Sequence, residues 1–299
     1  MSGERLERLD RYLVVSGLAT SRRDAEELIA RGLVRINGRR PSKSDVVAPG
    51  DQVVIDNTST EAPAIGPEEN PAIAVLYEDA AVIIVSKPGA MPCHPLRAGE
   101  TGTVMNAVAA RYPETASAGA KPHEGGLAHR LDNGTSGALI VARSAEAYRA
   151  MRTAISAGKV SRTYQALVAG DLRQSFALDA PIAHHEKNPR KMKLGTPKSA
   201  ISWRAGRAAI SLVEPIRRTG NFTLVAIRPR TGSRHQIRVH LASVGHPIVG
   251  DTLYGGPPTA ALAAGRFWLH LTELSFESPT GAHVEVSAPL PPDLKSLLS

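Results

Sequence analysis

The stretch His129-Arg130-Leu131-Asp132-Asn133-Gly134-Thr135-Ser136-Gly137 gathers an imidazole, a guanidinium and a carboxylate beside two glycines, just before the apolar run Ala138 to Val141. That is how a loop presents reactive groups from a rigid sheet. A carboxylate so placed suits a nucleophile, or a group facing a developing positive charge. It must be ionised to act, and a neighbouring cation favours that form. By itself the string is weak, because an Arg–Asp surface pair accounts for it equally well. Three further strings accompany it: Arg162 to Gly170 with Tyr164 third, Thr231-Gly232-Ser233-Arg234-His235-Gln236-Ile237-Arg238-Val239-His240, and Gly245-His246-Pro247-Ile248-Val249-Gly250-Asp251.

Other chemistries find little support. Among the ten histidines only His184-His185-Glu186 and His235…His240 cluster, with no HExxH and no paired CxxC, so no metal is expected. Neither a P-loop nor a GxGxxG turn is present, which disfavours a nucleotide cofactor. Cys93 is the single cysteine and reads as a small apolar filler.

Hydrophobic residues make up 42% of the 299 positions, enough for a buried core. The net charge is +8 and unevenly spread: thirteen Lys or Arg and one acid, Glu214, fall between Lys187 and Gly250. Such a tract suits a polyanion, because phosphate contacts release condensed counterions. Aromatics are only 4%, so stacking on bases must rely on a few rings or on arginine planes. Met1 to Asp10 is charged, and no run approaches the ~18 apolar residues of a membrane span. A soluble cytoplasmic protein with no membrane partner is expected.

The elements that must position these groups fall into two units. Leu6, Leu9 and Leu13 recur at helical spacing, and Ser21 caps a second helix bearing Ala25, Leu28 and Ile29. Val34 and Ile36 alternate as a strand, Asn37-Gly38 predicts a hairpin turn, and Val53 to Ile55 a last strand. Residues 1–57 thus read as a small α/β unit. The segment 58–71, rich in Pro, Ala, Thr and Glu, reads as a linker that leaves this unit mobile. Residues 72–299 carry short β-like runs at Ala74 to Leu76, Val82 to Val85, Ala138 to Val141, Tyr164 to Val168, Thr223 to Ile227, Gln236 to His240 and Val284 to Ser287. Helical patterns cover Val104 to Arg111, Ala145 to Ser156 and His235 to Val244, the last in competition with a strand. Many short strands with few helices predict α+β with a mostly antiparallel sheet.

Two resemblances emerge. Most of residues 5–56 resembles an S4-type RNA-binding domain, in which a helix pair and the following hairpin form a basic face for RNA backbone. Matching positions are Arg8, Arg11, Ser21, Arg22, Arg23, Arg31, Arg35, Arg39 and Arg40. The four strings quoted first, together with Leu76-Tyr77-Glu78-Asp79, Ser86-Lys87-Pro88 and Ala288-Pro289-Leu290-Pro291, resemble the RluA-type family of RNA pseudouridine synthases. That resemblance spans essentially all of residues 74–293.

It implies that a uridine's N1–C1′ bond is cleaved, that the base turns while held, and that it rejoins through C5, with no cofactor or metal. Asp132 matches the family's essential aspartate, nucleophilic at C1′ or acting through a sugar proton. Arg238 matches the arginine that pairs with it, and planar Arg can hold a carboxylate by two hydrogen bonds. Tyr164 matches the tyrosine lying against the base. Flipping a uridine costs a few kcal/mol and leaves a gap; Arg130 matches the residue that fills it. His129 would support the loop and the RNA contact. Lys87 and Arg234 complete the expected RNA-binding set. Two departures bear on this. Gly89-Ala90 stands where the family reads x-Gly after Lys-Pro, so that loop and His94 are expected to differ. Gly232-Ser233-Arg234-His235 replaces Gly-Arg-Ser/Thr-His, and in a strand that displacement would turn Arg234 to the other face. The expected partner is RNA, ribosomal before transfer, because family members with this N-terminal domain commonly modify large-subunit ribosomal RNA; the alternative is an RNA-binding or ribosome-assembly protein without catalysis, which would not require the Asp132–Tyr164–Arg238 set.

Overall fold

A computed structural model describes residues 7–19, 21–30, 32–42, 45–55, 65–70, 72–97, 99–195 and 206–298, with Arg23 and Glu27 by backbone alone. The chain divides into two compact units, Met1–Glu61 and Ala62–Ser299.

In the first unit, β1 (Glu7–Arg8) leads into α1 (Leu9–Val15), then α2 (Arg22–Ala30), β2 (Val34–Ile36), β3 (Val46–Val47) and β4 (Val53–Ile55). Ser21 Oγ accepts the Asp24 N–H at 3.2 Å, the cap expected from sequence. Leu9, Leu13, Ala25, Ile29, Val34, Ile36 and Val47 close a core of their own. Asn37 and Gly38 both have positive φ, 51° and 78°, as a tight turn requires. The strand that pairs with β2 is β4, and only Arg39 bridges back directly across the turn.

The second unit holds β5 (Ala74–Glu78), β6 (Val82–Lys87), α3 (Val104–Arg111), β7 (Ser136–Ala142), α4 (Ala145–Ser156), β8 (Ser161–Ala169), β9 (Phe176–Asp179), β10 (Ile182–His184), β11 (Met192–Leu194), β12 (Ile210–Thr219), β13 (Phe222–Pro229), α5 (Gln236–Ser243), β14 (Leu269–Glu277), β15 (His283–Ser287) and α6 (Pro292–Lys295). A mixed nine-stranded sheet runs β5-β6-β7-β14-β8-β13-β12-β9, with β15 on β14. Every pairing in it is antiparallel except β7 with β14. The fold is therefore α+β, as the sequence predicts. β10 and β11 form a separate hairpin.

Register places the chemistry. Lys87 pairs with Gly137, Gly137 with Leu271, Leu271 with Tyr164, and Tyr164 with Ile227. One row across five strands thus links the segment before β7 to the tyrosine of β8. β7 is buried along its whole length, which fixes that row against slippage.

Three expectations need correction. Residues 236–240 are helical, part of α5, and Gln236 to Leu241 are all buried. A helix buried on every side loses the polar face by which periodicity separates it from a strand. β12 and β14 were not among the expected strands; Pro215 interrupts one and His270, Thr272 and Glu273 the other. Stretch 65–70, assigned to the linker, docks on the second unit. Ile65 is buried in its core, Asn106 Nδ2 donates to Gly66 O at 2.6 Å, and Glu68 N donates to Asn106 O at 3.1 Å.

Gly137 has φ +123°, and a Cβ there would stand 2.2 Å from Leu271 O. Both the backbone angle and the parallel pairing therefore exclude a side chain. Gly137→Ala is expected to cost about 3 kcal/mol or more, read as a fall of roughly 6–12 °C in the unfolding midpoint of the second unit. An unchanged midpoint would mean that the β7–β14 contact is looser than described.

Candidate active site

Asp132 sits in the loop before β7, and that loop is clamped from below. Its own turn is closed by Thr135 N donating to Asp132 O at 3.0 Å. The Lys87 ammonium donates to Pro88 O at 2.8 Å, Asn133 O at 3.0 Å and Thr135 O at 2.6 Å. Arg266 reaches Gly134 O and, at 2.8 Å, Ser136 Oγ, and is itself paired with Asp293 at 2.8 Å. Lys87 is 1% exposed, and burial pulls its pKa down to about 8. This corrects its expected role. An ammonium so enclosed, with its N–H groups on backbone carbonyls, is placed to hold the loop rather than to reach RNA. Ala90 stands where the family pattern has glycine and takes φ +59°, a left-handed conformation that costs a non-glycine residue roughly 1–2 kcal/mol.

Arg238 enters from α5. Its Nε and Nη2 donate to the two oxygens of Asp251 at 2.7 and 2.9 Å, and its Nη1 donates to Asp132 Oδ2 at 2.9 Å. The guanidinium lies between two rings, 4.4 Å from the centre of Phe267 and 5.0 Å from that of Tyr254. Arg238 and Asp251 are buried, whereas the Asp132 side chain keeps 25% exposure. One arginine thus serves two carboxylates, the enclosed one fixing it and the open one facing the cleft. His235, which caps α5 with φ +54°, brings Nε2 to 3.9 Å from the other Asp132 oxygen, while its Nδ1 meets Tyr254 Oη at 2.7 Å.

Tyr164 is 7% exposed on β8, and burial together with Asp132 pushes its hydroxyl up to about 12, so it stays protonated. His129 is buried, with Nε2 accepting the Ile140 N–H at 3.2 Å; burial lowers its pKa to about 3. It braces the loop and is enclosed rather than offered to RNA. Arg130 is exposed and pairs with Glu124 at 3.1 Å. Arg234 is exposed and donates to Pro189 O and Arg190 O at 3.2 and 3.4 Å. It precedes a helix, not a strand, so the expected reversal of face does not apply. These residues line one cleft of about 630 Å³ with Asp132, Tyr164 and Arg238.

Among the expected RNA contacts of the first unit, Arg8, Arg11, Arg22 and Arg39 are exposed and Arg35 is half-buried, and each has a partner within the protein. Arg8 and Arg22 both hydrogen-bond the buried Asp10, which holds its carboxyl at about 2. Arg11 pairs with Glu7 and Arg39 with Asp45, while Arg35 reaches Gly32 O at 3.1 Å. The Arg23 side chain and Arg31 lie outside the described residues. Asp251, Tyr254, Arg266 and Asp293 received no role from sequence. The charge of Asp251, after an apolar run, was the one available signal.

Asp251→Asn removes the second charged oxygen that orients Arg238. It should lower turnover by about 100-fold through misplacement of Asp132, with RNA affinity little changed; wild-type turnover would show that Asp251 positions nothing. A pH effect also follows. Burial lowers His129 to about 3, and His235 and His270 to about 4. The unfolded chain binds these protons first, from about pH 6.5 downward. Stability present above that pH is therefore lost as pH falls toward 4, by up to about 1.4 kcal/mol per pH unit per histidine. Urea midpoints taken across this range should decline, and His270→Gln should flatten the slope.

The geometry agrees with the comparisons. Residues 81–243 match the family model described as RNA pseudouridylate synthase, and residues 7–53 match the S4 domain. An uncharacterized RNA pseudouridine synthase of Chloroflexus aurantiacus is 36% identical, covering 98% of this chain and 89% of its own. A ribosomal large subunit pseudouridine synthase D of Xanthomonas campestris is 35% identical over 93% of this chain and 84% of its own; that of Haemophilus ducreyi is 32% identical over 97% and 90%. The structure of human RNA pseudouridylate synthase domain containing 1 shares the fold, with TM-score 0.61 and 24% identity over 77% of this chain and 89% of that one. A carboxylate set against a locked arginine beside a buried tyrosine, within a chain matched end to end by these relatives, makes this protein a member of the RluA-type RNA pseudouridine synthases, carrying an N-terminal S4 domain.

Proposed function

We propose that this synthase modifies large-subunit ribosomal RNA and that Asp132 is its nucleophile. The observation that carries the chemical part is the Asp132 carboxylate, open to the cleft yet tied to an arginine that Asp251 holds from behind. A target uridine leaves its stack, and Arg130, exposed at the mouth, takes its place, since a guanidinium plane stacks on bases. Asp132 meets the ribose C1′ as the bond to N1 breaks. Tyr164 lies against the uracil while it turns and presents C5 to C1′. C5 bonds to C1′ as the Asp132 carboxylate leaves it, then C5 loses its proton and N1 gains one, so the sum is an isomerisation.

Two features favour ribosomal RNA. Several relatives that cover nearly the whole chain are named as large-subunit ribosomal synthases. The N-terminal unit adds exposed arginines, Arg8, Arg11, Arg22 and Arg39, suited to the backbone of a large folded RNA.

Release of tritium from RNA labelled at uridine C5 tests both parts. Wild type should release label from 23S ribosomal RNA and not from transfer RNA, and Asp132→Asn should release none while still binding. Release from transfer RNA alone would overturn the ribosomal assignment. Release by Asp132→Asn at the wild-type rate would remove Asp132 from the chemistry.

A further inference from the structure

The cleft floor contains a second cation that the Asp132–Arg238–Asp251 network does not use. Arg162 stands two residues before Tyr164 on β8, and alternating burial puts both side chains on one face of the strand. Arg162 is 8% exposed, yet among the described residues no carboxylate pairs with it. Its one hydrogen bond there runs from Nη2 to Thr231 O, at a long 3.3 Å. Nε is enclosed without a partner. Nη1 lies beside Gly232, where a Cβ would come within 3.5 Å, so the missing side chain keeps that nitrogen uncovered toward the cleft. His129, its neighbour, accepts the Ile140 N–H at Nε2; the hydrogen-bond pattern therefore assigns its proton to Nδ1, which is also buried without a partner. Burying a guanidinium without an anion is costly. A ligand that brings negative charge to this place recovers that cost.

An RNA can bring an oxyanion in two ways, as a backbone phosphate or as the base itself. The exposed arginines at the mouth, Arg130, Arg207 and Arg234, are placed for phosphates. Arg162 lies below them, roughly 7 Å along the strand from Tyr164, where the flipped base goes rather than the backbone.

We propose that Arg162 is a catalytic residue that holds the departing uracil as an anion. When the N1–C1′ bond breaks, the electron pair stays on N1 and its charge spreads to O2 and O4. Nη1 of Arg162 donates to one of these oxygens. The half-turn that exchanges N1 for C5 runs about the N3–C6 axis and exchanges O2 for O4. A fixed donor therefore finds an oxygen in the same position before and after the turn. C5 then bonds to C1′ as the Asp132 carboxylate leaves it, C5 loses its proton, N1 gains a proton, and Asp132 and Arg162 end unchanged. A preorganised charge aimed at an anion that exists only after bond cleavage stabilises that state over the bound substrate.

The inference rests on the bond cleavage described under Proposed function, not on which RNA is modified. Full-length Arg162→Met and Arg162→Lys are compared with wild type in single turnover, on whichever of the 23S and transfer RNA transcripts wild type converts. Each transcript is made with uridine or with 5-fluorouridine, and loss of the starting nucleoside is read by chromatography of the digested RNA. Arg162→Met should bind RNA nearly as wild type does and lose at least about 100-fold in rate, with Arg162→Lys in between. Fluorine stabilises the departing anion, so the deficit of both variants should shrink by about an order of magnitude on the fluorinated RNA. An equal deficit on both RNAs would make Arg162 structural and overturn the proposal. So would a loss of affinity at unchanged rate, which would put Arg162 on a phosphate. If Arg162→Met does not fold, Arg162→Lys carries the same comparison. Conversion by Asp132→Asn at the wild-type rate would instead sink the reading of Asp132, an outcome visible in the same assay.

Discussion

The buried two-pronged pair between Arg238 and Asp251 is the interaction on which the cleft depends. Two parallel hydrogen bonds and two rings within 5 Å hold the guanidinium in place, and one of its remaining N–H groups donates to Asp132. The three groups together carry one net negative charge. Asp251 is enclosed and fully used, so the chemically available part of that charge rests on the partly open Asp132. Arg238 meets Asp132 with one hydrogen bond without neutralising the group as a whole, an arrangement suited to the nucleophilic role proposed for Asp132. Breaking such a pair on one side leaves a buried charge uncompensated, which typically costs about 3–5 kcal/mol.

The backbone that carries Asp132 is held by a different device. Lys87 and Arg266, both buried, answer the carbonyls of residues 133–135 from beneath. These carbonyls lie just before β7, outside the sheet's pairing. Unsatisfied, they would be expensive; satisfied by charged donors, they make the loop stiff. Ala90 holds a left-handed backbone three residues beyond the end of β6.

Positive charge is sorted by depth. Arg130 and Arg234 lie exposed at the mouth and Arg162 and Arg238 enclosed on the floor; of the enclosed two, only Arg238 is paired to carboxylates among the described residues. Exposed cations draw in a polyanion and are screened by salt, while an enclosed one acts on the few atoms within its reach. The +8 net charge thus divides into an exposed part suited to gathering a polyanion and an enclosed part that faces the cleft.

How much of this was legible beforehand depends on the range of the interactions. Periodicity and capping signals located α2, α3 and α4, because those depend on neighbours three and four residues away. The motif strings named Asp132, Tyr164 and Arg238, and the pattern of short strands gave the α+β class. What the strings could not convey was burial. Lys87 reads as a basic residue fit for RNA until β6 pairs with β7 and seals its ammonium under the loop. Residues 236–240 read as strand or helix until packing on all sides showed why the pattern was ambiguous. β14, the central strand, was obscured by polar residues tolerated only because its neighbours answer them, as Ser136 answers His270 at 2.8 Å. Sequence determined which chemical groups exist and the local elements that carry them, since these follow from residue type and short-range spacing. The tertiary structure decided which charges are enclosed, which carboxylate fixes Arg238 and which faces the cleft, because solvent exclusion and partner choice arise only when residues over a hundred positions apart, such as Asp132 and Arg238, are brought together.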